Sequence, residues 1–307
     1  MRRGTGIIEF FDRFPNEEAC LDHIHVHKWT PQRKCPECSA VGEWKKIKGT
    51  KNYRHSCGQH HSVLRGTAFY RSNLSIMAYF YALLLFANSS SGVRSVFVRK
   101  QLGIGLKAAH RLCSKIRVHM AAYRRPDFLG GQGKTVYVDE VYIKYVIDQD
   151  SKKMRPSIVL GIMCEGLLLS GIIPDRKRKT LEAAISKWVH PQSKIITDDW
   201  VGYKRLSSLG FIHLTINHSS GYFSDFNGNS TCEIDSYWAT LKRSLRLYHQ
   251  VSAKNLWLYL AENEFRYNHR FSNCQPFEDL ISHWPELDST VLEKLKNRYN
   301  WTELGAT

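Results

Sequence analysis

At 307 residues with 43% hydrophobic side chains, the chain is too long for one small domain and can bury a sizeable core, so a soluble globular protein of two or three domains is expected. Its 44 Lys and Arg against 28 Asp and Glu leave a net charge of +16, which favours a polyanionic partner, nucleic acid foremost, with salt-dependent binding. Met1-Arg2-Arg3-Gly4 is not followed by an apolar stretch of signal-peptide length, and the longest apolar run, Met77–Ala87, falls short of the roughly 20 residues a membrane span needs; the expectation is a cytoplasmic protein, not a secreted or membrane-anchored one.

The first region, 1–72, carries the dense cysteine and histidine usage. His23, His25 and His27 alternate, as on a strand face or in a second metal patch, and read as solvated surface. Cys35-Pro36-Glu37-Cys38 is a knuckle, because two thiolates separated by two residues can turn back on one zinc ion. About twenty residues later, a typical interval before a second ligand pair, Tyr53 to His61 supplies Cys57 and several histidines. His55 and His60 both stand as the fourth ligand, and His60 completes a set of Cys35, Cys38, Cys57 and His60 as a Cys-x-x-His pair. The remaining cysteines, Cys20, Cys113, Cys164, Cys232 and Cys274, read as small hydrophobes rather than ligands.

The second region, 73–130, is helical. Leu74–Asn88 is nearly unbroken apolar, and Val93–Met120 spaces its apolar residues by three and four around an interruption at Gly103-Ile104-Gly105. Lys107, His110, Arg111, Lys115 and Arg117 beyond that turn give the pattern of a helix-turn-helix. Gly130-Gly131-Gln132-Gly133 marks a link to the third region, 131–290, with a tail at 291–307. There Thr135–Asp139, Ile158–Met163 and Leu167–Ile173 predict a three-stranded meander, Leu181–Val189 a helix and Lys194–Thr197 a further strand, giving a mixed α/β domain.

Asp139 and Asp198 each close an apolar β-like run, a position that aims a carboxylate into a shared cleft where divalent metal can be held. The segment Cys232–Arg243 reads as a helix and offers a third acid. Asp235 and Lys242 are seven apart, close to two helical turns, and share one face; Glu233, nine before the lysine, is rotated away. Asp235 is therefore the third acid of choice, with Lys242 as a phosphate grip. Trp238, on the same helix, reads as core, and His218 as a secondary candidate near a phosphate.

In order and spacing these motifs resemble bacterial insertion-sequence transposases of the DDE superfamily, in the zinc-ribbon group related to Merlin transposons. The resemblance runs through Cys35-Pro36-x-Cys38, Leu102-Gly103-Ile104, Val138-Asp139-Glu140, Thr197-Asp198-x-Trp200, Asn217-His218-Ser219, Asp225, Ile234-Asp235-x-x-Trp238, Lys242-Arg243 and Phe265-Arg266-Tyr267-Asn268-x-Arg270. It implies an RNase H-like catalytic domain behind a zinc ribbon and a helix-turn-helix. Magnesium or manganese would be held by Asp139, Asp198 and Asp235, with zinc in the ribbon. The implied partner is double-stranded DNA, both transposon ends and target, bound by a nucleoid-associated homo-oligomer. The activity implied is strand cleavage and strand transfer at terminal inverted repeats. Asp235 stands where the family has Glu, Cys232 where it has Asn, and the ribbon lacks the first cysteine of its second pair; these departures support an alternative, an inactive transposase-derived DNA-binding protein or repressor.

Overall fold

The computed structural model describes residues 5–29, 34–144, 146–148, 150, 153–216, 232–270 and 275–304. They form two compact units, Met1–Tyr123 with Ser272–Glu293, and Arg124–Phe271 with Lys294–Thr307.

In the first unit, α1 (Ile7–Arg13) buries Phe10, and α2 (Glu17–Lys28) starts where the Asn16 side chain accepts a hydrogen bond from the Ala19 amide at 2.9 Å. That cap overrides the alternating histidine pattern. His23, His25 and His27 lie on a helix and not on a strand, with the rings of His23 and His27 one turn apart at 4.2 Å and His25 stacked on Tyr53 at 4.1 Å. Next come β1 (Trp44–Lys46), β2 (Asn52–His55) and β3 (His60–Ser62), an antiparallel sheet in that order.

The apolar run forms α3 (Ile76–Ala87), capped by Ser75, whose hydroxyl accepts from the Ala78 amide at 3.1 Å. The following helices are α4 (Ser95–Leu102) and α5 (Leu106–Ala121). Gly103, at φ 62°, stops α4 in the left-handed conformation that glycine adopts most cheaply. On α5, Lys107, His110 and Arg111 are exposed, whereas Arg117 is buried over the Phe86 ring and Lys115 donates to the Tyr70 carbonyl. Two of the five basic residues expected on an open helix face thus contribute to packing.

The second unit opens with β4 (Leu129–Gly130), β5 (Thr135–Ile143), β6 (Val146–Ile147), β7 (Ser157–Cys164) and β8 (Leu167–Ile173). It continues through α6 (Arg178–Trp188), β9 (Val189–His190), β10 (Lys194–Thr197), β11 (Ile212–Thr215), α7 (Cys232–Leu247), β12 (Val251–Ser252) and α8 (Leu256–Asn268). The glycine-rich link belongs to this unit: Gly130 lies so close to Ser193 that a Cβ would fall 2.2 Å from its Oγ, and the Gly131 amide donates to that hydroxyl.

A five-stranded sheet in the order β11-β10-β5-β7-β8 organises the unit. β5, β7 and β8 form the antiparallel meander, and β10 and β11 add in parallel after the α6 crossover. Because strand residues alternate between faces, Val138, Ile162 and Leu169 form one cross-strand row and Asp139, Gly161 and Ser170 the next, on the opposite face. The first row joins the core with Leu181, Ala184 and Ile185 of α6. The second meets α7 and α8, with Gly161 beneath Ile234 and Trp238, and Ser170 bonded to Glu264. Finally, α9 (Pro276–Ser282) packs on α2 and α3 in the first unit, where Phe277 meets Phe10, and α10 (Ser289–Tyr299) ends the helices. Among the described residues no helix is long and apolar enough to cross a membrane.

Candidate catalytic centre and metal site

Parallel pairing brings the two aspartates together, but only Asp198 follows the end of its strand: β5 runs on to Ile143, so Asp139 lies in mid-strand and not at the strand end that its apolar run suggested. β10 and β5 pair Ile195 with Val136 and Ile196 with Tyr137, so carrying the register two residues further sets Asp198 beside Asp139. Asp139 faces α7, where the Trp238 indole N–H donates to its Oδ2 at 2.7 Å. The neighbouring Glu140 points to the other face and is almost wholly buried, bonded by the Tyr203 hydroxyl and paired with Arg176. The same guanidinium stands 3.9 Å from Asp198 Oδ2.

Burial, with repulsion from Glu140 and Asp198, pushes the Asp139 carboxyl up to about 6 against the opposing Trp238 hydrogen bond. Glu140 is also raised by burial, although Tyr203 and Arg176 oppose it. Arg176 thus faces two of three crowded carboxylates, Glu140 and Asp198, and the deficit of positive charge fits a divalent cation, which Asp139 and Asp198 have the oxygen chemistry to hold. Trp238 is core, as expected, yet it also fixes the first acid.

Asp235 and Lys242 are exposed on α7, three residues before and four after Trp238, so the anchored indole orients the stripe that carries both. The Glu233 backbone carbonyl accepts from the Tyr267 hydroxyl at 3.3 Å, and the charge of its carboxylate acts on Arg270. Asn217-His218-Ser219, Phe223, Asp225, Gly228 and Cys274 lie outside the described residues. Sequence reasoning missed Arg176 and the buried role of Glu140. The run Asp175-Arg176-Lys177-Arg178-Lys179 directly after a strand is the signal that points there.

In the first unit, Cys35, Cys38, His55 and Cys57 place their ligand atoms within 4.8 Å of one another. Cys35 and Cys57 sulfurs are 3.8 Å apart, Cys38 Sγ lies 3.6 Å from His55 Nδ1, and His55 Nδ1 lies 3.0 Å from Cys57 Sγ. A tetrahedral zinc with Zn–S bonds of about 2.3 Å has edges of about 3.8 Å, so the set fits that ion. Although burial opposes ionisation of Cys35, backbone N–H groups of Cys38 and Glu37 together with the Cys38 and Cys57 thiols outweigh it and lower the Cys35 thiol. At Cys57 the Gln59 backbone N–H is instead outweighed by burial and the thiol neighbours, which push that thiol up, as expected where sulfurs crowd together.

His60 is not in the cluster. It sits opposite Arg54 in the β2–β3 ladder, one residue out of phase with His55, so the two histidines face opposite sides of the hairpin. His55 is buried and covered by the backbone of Gly42, where a Cβ would come within 2.5 Å of its Nε2.

Residues 129–268 match the family model of the ISXO2-like transposase domain. An uncharacterized transposase-like protein of Haemophilus influenzae is 33% identical over 97 residues, which span 32% of this chain and 77% of that relative. The chain belongs to the ISXO2-like insertion-sequence transposases of the DDE superfamily. Its transposase domain coincides with the second unit from β4 to the end of α8, and so contains Asp139, Asp198, Asp235 and Lys242. The Cys3His cluster lies outside the matched domain.

Proposed function

We propose that the chain is a metal-dependent DNA transposase that binds the terminal inverted repeats of its element, cleaves at their ends and joins the freed strand to target DNA. The observation carrying this reading is the approach of Asp139, in the middle of β5, and Asp198, just past the end of the adjacent β10, inside a transposase-family domain of a strongly basic chain. The antiparallel meander extended by parallel strands, with helices on both faces, supports an RNase H-like fold for that domain. The α4–Gly103–α5 corner, with Lys107 and Arg111 exposed, supports a helix-turn-helix that grips DNA, and the Cys3His knuckle a zinc ribbon ahead of it.

Asp139, Asp198 and Asp235 would hold magnesium or manganese, which supplies Lewis acidity toward the reacting phosphate when bound. Trp238 keeps Asp139 in its rotamer, Arg176 neutralises Glu140, and Lys242 binds a phosphate on the stripe it shares with Asp235. Two ends must be processed together, so a homo-oligomer on DNA is part of the proposal.

The test is cleavage of a labelled duplex carrying the element's terminal repeat, with Mg²⁺ or Mn²⁺ against EDTA. Asp139→Asn, Asp198→Asn and Asp235→Asn should each abolish nicking while leaving DNA binding intact, and Glu233→Gln should keep it. Undiminished cleavage by Asp139→Asn would sink the metal assignment. Asp235, where the resembled family has Glu, favours a second reading, a repressor that binds the ends without cutting; tight binding with no cleavage under either ion would select it.

A further inference from the structure

We infer that a groove beside the acidic centre is a nucleotide subsite: it takes one unpaired nucleotide of a DNA strand, the base on Trp200 and its phosphate against Lys177 and Arg178. This rests on the transposase reading above. The groove has a volume of about 440 Å³ and is lined by Arg176, Lys177, Arg178, Trp200, Val201 and Gly202, within the range of small-ligand sites.

Trp200 is 38% exposed yet held on every side that the fold controls. Its backbone N–H donates to Asp198 Oδ1 at 3.1 Å, its indole N–H donates to the Arg176 carbonyl at 3.1 Å, and the Arg176 guanidinium lies 4.3 Å from its ring centroid. Gly202 packs closely against the indole and Leu181, since a Cβ there would stand 2.9 Å from Trp200 Cδ1 and 2.7 Å from Leu181 Cδ1, so the ring is further fixed in place. A large aromatic that is locked and still open to solvent is a stacking platform, accepting any base because every base has a π-face.

Cations complete the site. The Lys177 and Arg178 side chains are 83% and 51% exposed, and their partners Asp175 and Glu182, at 3.2 and 3.8 Å, form surface pairs of little net strength that a phosphate can replace. Inside a duplex both faces of a base are covered by its neighbours, so only an extrahelical or single-stranded nucleotide can use the ring. Because Trp200 is tied by its own amide to Asp198, the nucleotide it takes is next to the phosphate that reacts.

The test uses the full chain in EDTA with short duplexes ending in one unpaired residue, either 2-aminopurine or abasic, on the terminal repeat and on an unrelated sequence. Binding of wild type should quench the 2-aminopurine and favour the base over the abasic end about tenfold, the scale of one stacked base. Trp200→Ala should lose both effects and Trp200→Phe should restore them. Lys177→Gln with Arg178→Gln should weaken both duplexes alike and flatten the salt dependence. Quenching confined to the repeat assigns the nucleotide to a transposon end, and equal quenching supports the subsite for a strand of either source. Trp200→Ala with unchanged discrimination overturns the proposal. Wild type that binds duplex but ignores the base overturns the subsite alone, whereas failure to bind any DNA removes it together with the transposase reading.

Discussion

Asp139 illustrates how the surroundings of a single side chain set its charge. Burial first, and then Glu140 and Asp198, hold its proton to about pH 6, whereas an unfolded aspartate ionises near 3.9. The sign follows: in the metal-free protein this group's contribution to stability is fully present below about pH 3.9 and is lost as pH rises through about 6. A divalent ion held there, as proposed above, would reverse that loss, because it favours the ionised form. The thermal midpoint should therefore rise more on adding Mg²⁺ at pH 7 than at pH 5, and Asp139→Asn should flatten the difference. An equal rise at both pH values would mean that the ion binds elsewhere. Arg176 belongs to the same balance, since without it Glu140 would be a buried carboxylate with only the Tyr203 hydroxyl as side-chain donor among the described residues.

At the scale of elements, the β2–β3 hairpin decides which histidine joins the three thiols. Strand alternation puts His55 with the thiols and His60 with Arg54, so the two histidines that spacing alone left level are separated by one residue of pleat. Purified protein should carry one zinc, retained by His60→Ser and lost or markedly weakened by His55→Ser, measured by metal analysis after dialysis against a chelator. Zinc retained by His55→Ser but lost from His60→Ser would reverse the assignment. The larger elements were more legible. β5, β7, β8, α6 and β10 follow local apolar periodicity and turn chemistry, and those signals predict them in order. The histidines of α2 misled because a two-residue alternation of one side chain says less than the Asn16 cap and the acidic first turn behind it.

Across the whole molecule, what stayed hidden was pairing over long separations. Nothing in the sequence of α9 says that Phe277 packs with Phe10 in the first unit, and nothing local to Arg125 says that it meets Glu264. That ion pair, 3.0 Å long with both side chains all but excluded from solvent, also binds the Ser170 amide and hydroxyl and the Arg298 carbonyl, under the Tyr299 ring. It joins the start of the second unit to α8 and β8 and to the end of the chain. Glu264→Gln leaves Arg125 buried without its counter-charge and should cost about 3–5 kcal/mol in urea unfolding; a loss under about 1 kcal/mol would show that water reaches the pair.

Gly161 carries a consequence for how such a gene decays. A methyl group there would lie 2.7 Å from the Trp238 ring and 3.3 Å from Ile234, and relieving that crowding means lifting α7, with Asp235 and Lys242 on it, away from the strand that bears Asp139. On the transposase reading proposed above, a copy with alanine at this position would lose cleavage while Asp139, Asp198 and Asp235 all remain in its sequence, so those acids by themselves would not mark an element still able to move.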